Sequence, residues 1–212
     1  MSFLNYSHRE KTRLNKNFFF AGTILVLAIN FIVYFLFNEP SIFSSSNNWD
    51  NILDFRNLLI HFTSAFKHSN LQHLLLNSLC FLIAGGYVER KHGSIGLVCL
   101  VFLFVLFGES MVAANHSGTG GRGFSGVNYS FYAYIIVDFI FTLKNIRTNK
   151  KELVVSLIVL GLIYFACCFC GGTETFEFKI YPYDLIHNLG HYTAFLSGLV
   201  LSVLIKLCKI RK

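Results

Sequence analysis

The sequence predicts an all-α membrane protein, a bundle of six transmembrane helices with both termini cytoplasmic. Three observations predict it: hydrophobic residues make up 54% of the 212-residue chain and charged residues 14%, the mean hydropathy is +0.54, and the apolar residues gather into runs of bilayer-crossing length. A soluble core does not absorb that much apolar surface. Nor do the runs alternate as strands of a closed barrel would. Backbone groups in lipid must therefore be satisfied within helices.

The six runs cover approximately 17–37, 71–87, 95–114, 126–143, 153–169 and 185–205. The first follows a basic segment but is longer than a signal core and is followed by no small-residue cleavage site, so it is expected to persist as a span. The long connection 38–70 carries Trp49, Phe55, Leu58, Leu59, Ile60 and Phe62, and its apolar content is that of a segment folded back into the outer interface. The expected organisation is a basic N-terminal segment (1–16), a membrane domain (17–205) and a basic tail (206–212).

Orientation follows from the basic residues, which resist translocation. Arg9, Lys11, Arg13, Lys16, Arg90, Lys91, Lys144, Arg147, Lys150, Lys151, Lys206, Lys209, Arg211 and Lys212 fall on one side, against Arg56, Lys67, Arg122 and Lys179 on the other. The net charge of +7 is thus a topology signal spread over juxtamembrane segments, and nucleic acid is not an expected partner. The six cysteines include no two-pair CxxC…CxxC arrangement and read as small packing residues.

Topology gives each polar residue in a span a depth. His73 and Asn77, four apart, share a helix face about 6 Å apart along the axis, and His191 lies about 9 Å below the same outer boundary. Ser125, within Gly123-Phe124-Ser125-Gly126, opens the fourth run on that side after a glycine-rich stretch. A serine hydroxyl becomes a nucleophile when a base takes its proton, and an imidazole suits that near neutral pH. Ser125 with His191 supplies the pair. The Ser125 backbone N–H, Asn77 and His73 supply donors for an oxyanion, and Tyr129, one turn after Ser125, can pack on the imidazole. No acid is placed to orient His191, so a dyad is expected.

Each feature also has a plainer reading. The GFSG tetrapeptide alone is a helix-entry turn with a serine N-cap, and His73 with Asn77 alone is an interhelical hydrogen-bonding pair. It is their combination with His191 that points to catalysis. His187 and His191 have the i, i+4 spacing of a zinc site, with His68 and His73 as the remaining candidate ligands, but His-Asn-Leu-Gly-His lacks the glutamate such proteases use as base; no cofactor is expected. Glu109 and Asp138 are the acids inside spans and are functional candidates by default, with structural readings equally open: Glu109 bonded to the loop ahead of Ser125, Asp138 reaching toward the cytoplasmic interface near Lys144.

At these residues the sequence resembles the rhomboid family of intramembrane serine proteases. His68-Ser69-Asn70-Leu71-Gln72-His73 through Asn77 is similar to its second-helix pattern, Gly123-Phe124-Ser125-Gly126 to its GxSG, Gly85-Gly86-Tyr87-Val88-Glu89-Arg90 to its second-to-third-helix junction, and His191 with Ala194 and Gly198 to its sixth helix. The similarity runs from about Thr63 to the C-terminus. Two departures are that Leu59-Ile60 stand where many members carry Trp-Arg, and Ala194 where a glycine is usual.

The resemblance implies a six-helix rhomboid-like bundle with Ser125 as nucleophile, His191 as general base and acid, and His73, Asn77, Gly123 and Tyr129 in support. It implies membrane-protein substrates cut in or near a transmembrane segment of the lipid bilayer, with a small residue before the scissile bond and helix-weakening residues after it. The six-span core and inside-positive ends point to a prokaryotic plasma (inner) membrane, with an organelle membrane as the alternative. The alternatives are a catalytically silent rhomboid-like protein that binds membrane helices and a transporter, the latter without the inverted repeat it would carry.

Overall fold

A computed structural model describes residues 20–37, 62–113, 123–143, 149–170 and 182–210, and side chains at 20–37, 62–107, 123–143, 149–165 and 191–208. Five helices are described: α1 (Ala21–Phe37), α2 (Leu71–Ala113), α3 (Ser125–Leu143), α4 (Lys150–Cys170) and α5 (Pro182–Ile210). No strand occurs among the described residues. Three of the helices carry segments long and apolar enough to cross a membrane, at Leu71–Phe107, Ser125–Leu143 and His191–Cys208. Large apolar side chains such as Ile95, Phe35 and Tyr164 face outward, as a surface solvated by lipid requires.

The second and third apolar runs belong to one helical stretch, α2, broken at Gly93, whose φ of 73° and ψ of 172° are non-helical. Glycine alone enters that region without a Cβ penalty. The break reverses the chain. Phe81 and Phe104, which a straight helix would hold about 34 Å apart, both pack on Phe131 of α3, at ring-centroid distances of 5.7 and 5.0 Å. The two arms of α2 therefore form a hairpin around an aromatic core that also takes in Phe124 and Phe66.

Glu89, buried near that hairpin, receives the main-chain N–H groups of Gly22 and Thr23 at 2.8 and 2.9 Å and the hydroxyls of Thr23 and Ser94 at 2.6 and 2.5 Å. It satisfies donors that the first turn of α1 leaves open and sits at that helix's positive end, which ties α1 to α2.

Small residues set the approach of α5 to α3. A Cβ on Gly198 would lie 2.5 Å from the Ser130 backbone, and the Ser130 hydroxyl donates to the Ala194 carbonyl at 2.8 Å. Close packing at Ala194 and Gly198 brings the preceding turn of α5, with His191, against the start of α3.

At the other end of α3, the buried Asp138 carboxylate accepts from the Tyr87 hydroxyl and from the Lys91 and Lys206 ammonium groups. Arg90 forms a two-pronged bond to Glu152 at 3.0 and 2.6 Å. Those contacts join α2, α3, α4 and α5. The structural reading of Asp138 is the one these contacts support, with Lys91 and Lys206 reaching it from other helices; Lys144 lies outside the described residues.

Candidate active site

The loop into α3 is held in one shape. Gly123 has φ 125°, and a Cβ there would stand 2.7 Å from His73 Cε1 and 3.0 Å from His73 Nε2, so both conformation and space demand glycine. Its N–H meets the Ser64 carbonyl at 3.4 Å. The next residue, Phe124, is buried against Phe66 and Phe81, and its N–H donates to His68 Nε2 at 3.4 Å. This anchoring leaves Ser125 as the first residue of α3.

His68 Nδ1 faces the Phe66 carbonyl at 3.2 Å. A carbonyl only accepts, so Nδ1 carries the proton and Nε2 is the acceptor for Phe124, a pattern that requires a neutral ring. Burial, then the neighbouring His73, lower the His68 pKa to about 4, against a smaller upward pull from the Phe66 carbonyl.

Ser125 Oγ lies 2.9 Å from His191 Nε2. Tyr129, one turn along α3, stacks on that imidazole at 4.6 Å between ring centroids and 15° between planes. A hydroxyl at this distance from an imidazole nitrogen is within range of proton transfer, and the stack restrains the ring that would receive the proton.

His73 and Asn77 stand on the first arm of α2, whose N-terminus is capped by Asn70 Oδ1, accepting the His73 N–H at 2.8 Å. His73 Nδ1 is hydrogen-bonded to Ser69 Oγ at 3.2 Å. The amide of Asn77 is buried, and Nδ2 would lie 3.5 Å from a Cβ on Gly123. Among the described residues that Nδ2 has no hydrogen-bond acceptor. An unengaged amide nitrogen beside the residues preceding a serine hydroxyl is a donor available to an anion. His191 thus touches both Ser125 and Tyr129, and Gly123, two residues before Ser125, lies against His73 and Asn77. The side chains of His187 and Glu109 lie outside the described residues.

Residues 56–207 match the Rhomboid domain family. The chain belongs to the rhomboid family. Among similar proteins, the rhomboid protease GlpG of Klebsiella pneumoniae is 30% identical over 118 residues, covering 56% of this chain and 42% of that protein. The rhomboid protease GlpG of Salmonella newport is 35% identical over 75 residues, covering 35% of this chain and 27% of that protein. The matched stretch is thus less than half the length of these curated relatives.

Two residues beside this rhomboid site have parts that sequence reasoning missed. One is His68, read there as a candidate metal ligand and within the second-helix pattern, but not as the acceptor for the Phe124 N–H; its position five residues before His73 was the available signal. The other is Asn128, whose Nδ2 reaches the Asn77 carbonyl at 3.0 Å and Asn77 Oδ1 at 3.2 Å. A polar amide inside an apolar span was the signal there.

Proposed function

We propose that the chain is an intramembrane serine endopeptidase that cleaves a peptide bond in or near a transmembrane segment of a membrane protein. In this reading Ser125 Oγ attacks the scissile carbonyl carbon while its proton passes to His191 Nε2. The charge that develops on the carbonyl oxygen is met by the Ser125 N–H, Asn77 Nδ2 and a ring N–H of His73. His191 then protonates the departing amine, leaving an ester on Ser125. Water, deprotonated by His191, hydrolyses that ester and restores the hydroxyl. Tyr129 holds the imidazole, and Gly123 keeps the space in front of His73 open.

The observation that carries this reading is the 2.9 Å contact of Ser125 Oγ with His191 Nε2, made between two helices inside a membrane bundle. The kinship with rhomboid proteases supports it. The same reading takes the chain as six spans, domain boundaries 1–16, 17–205 and 206–212, termini in the cytoplasm of a prokaryotic cell, and a site opening to the extracytoplasmic side. Substrate is a membrane helix weakened near the cut, since an intact helix hides its carbonyls.

The test is cleavage of a single-span substrate in proteoliposomes by the full chain and by Ser125→Ala. Cleavage by the full chain alone is the expected result. A Ser125→Ala protein that still cuts would overturn it, and a chain that binds the substrate but cuts nothing would be a silent helix-binding protein.

A further inference from the structure

Asn128 lies three residues after Ser125 and is 2% exposed. Its Nδ2 is shared between the Asn77 main-chain carbonyl at 3.0 Å and Asn77 Oδ1 at 3.2 Å. Side-chain amides can ordinarily be turned end for end without changing their shape. Here the main-chain carbonyl decides the matter. It can only accept, so the Asn128 atom facing it is the nitrogen; that same nitrogen faces one atom of the Asn77 amide, which must then be the oxygen. The nitrogen of Asn77 is thereby turned the other way, to the side of Gly123.

Orientation matters because the two ends of an amide have opposite effects on a developing oxyanion. The nitrogen donates to it and the oxygen repels it. A packing role accounts poorly for Asn128: its own Oδ1 is buried without a hydrogen-bond donor among the described residues, a cost that leucine at the same place would avoid.

We propose that Asn128 is a positioning residue, which locks the Asn77 side chain with its amide nitrogen aimed at the oxyanion formed on attack by Ser125. This rests on the proteolytic reading above. Asn128 touches no substrate and acts only through Asn77.

A double-mutant cycle on the full chain in proteoliposomes tests it, with kcat and KM measured for cleavage of a single-span substrate. Losing one oxyanion donor costs about 100-fold in kcat, so Asn77→Ala should fall by that order. Asn128→Leu, which frees the Asn77 amide to turn, should lower kcat about tenfold or more, with KM changed by less than about twofold. On the Asn77→Ala background the same substitution should cost less than about twofold further, because no amide remains to orient.

An equal fold-loss on both backgrounds would make Asn128 a structural residue and overturn the proposal, as would full kcat in Asn128→Leu. Should Asn128→Leu not fold, Asn128→Ala, smaller and likewise lacking the donor, takes its place in the cycle. Failure of the underlying reading is separately visible: Ser125→Ala would retain cleavage, or the unaltered chain would show none.

Discussion

The two ends of α3 use buried polarity in opposite ways. Asp138 and Ser125 are thirteen residues, or about 20 Å, apart on one helix. At the Asp138 end every strong group has an answer: one carboxylate takes a tyrosine hydroxyl and two ammonium groups, drawn from α2 and α5. At the Ser125 end one bond joins hydroxyl to imidazole, and the amide nitrogen of Asn77 is left without an acceptor among the described residues. In a medium where unpaired polar groups are costly, saturation at one end holds helices together. An open donor at the other is, on the proteolytic reading proposed above, room for a charge that exists only during reaction.

Removing either half of the dyad should have the largest effect. Ser125→Ala and His191→Ala are expected to cut turnover at least about a thousandfold, while the thermal midpoint in detergent moves by no more than about 2 °C. Asp138→Leu should do the reverse. It strands Lys206 and leaves Lys91 with Glu152 alone, at 3.4 Å; each ammonium is about one-fifth exposed and so able to reach water in part, and unfolding measurements should find a loss of about 3 kcal/mol with near-normal turnover per folded molecule. An Asp138→Leu protein that is stable but inactive would erase the distinction between the two ends.

A smaller effect should appear with pH. The His68 pKa is lowered from 6.5 to about 4, so between those values the unfolded chain binds more protons than the folded one. The stabilisation is complete above pH 6.5 and is lost as pH falls toward 4, at up to about 1.4 kcal/mol per pH unit. Thermal midpoints followed from pH 7 to 4 should decline along this course, and His68→Asn should flatten it. The smallest expected change is Tyr129→Leu: loss of the ring stack, about 0.5–1.5 kcal/mol, should slow turnover roughly two- to tenfold with little change in unfolding temperature.

Much of the Ser125 end was legible in the sequence because its pieces are local. A glycine two residues before a serine, a tyrosine one turn after it, and a histidine and asparagine sharing a face are all short-range patterns, and small residues at Ala194 and Gly198 announce close helix contact. What stayed hidden depends on the register of one helix against another. Nothing near Asn128 reveals that it meets Asn77, since the meeting follows from how α3 lies along α2. Lys91 and Lys206 were legible as topology signals, yet their pairing with Asp138 is interhelical. The junction around Glu89 was recognisable by likeness, but its role in capping α1 needs a partner 67 residues away. Hydropathy likewise separates the two arms of α2 without revealing that the backbone stays helical until Gly93.

The measurement that bears most directly on the Ser125–His191 pairing is covalent labelling of the reconstituted chain with a fluorophosphonate, the adduct located by peptide mass mapping. Only a serine with a base at its hydroxyl reacts readily with such a probe. The expected result is a single adduct on Ser125 that disappears in His191→Ala. Absence of an adduct on the folded protein, or labelling of Ser125 that persists unchanged in His191→Ala, would contradict it.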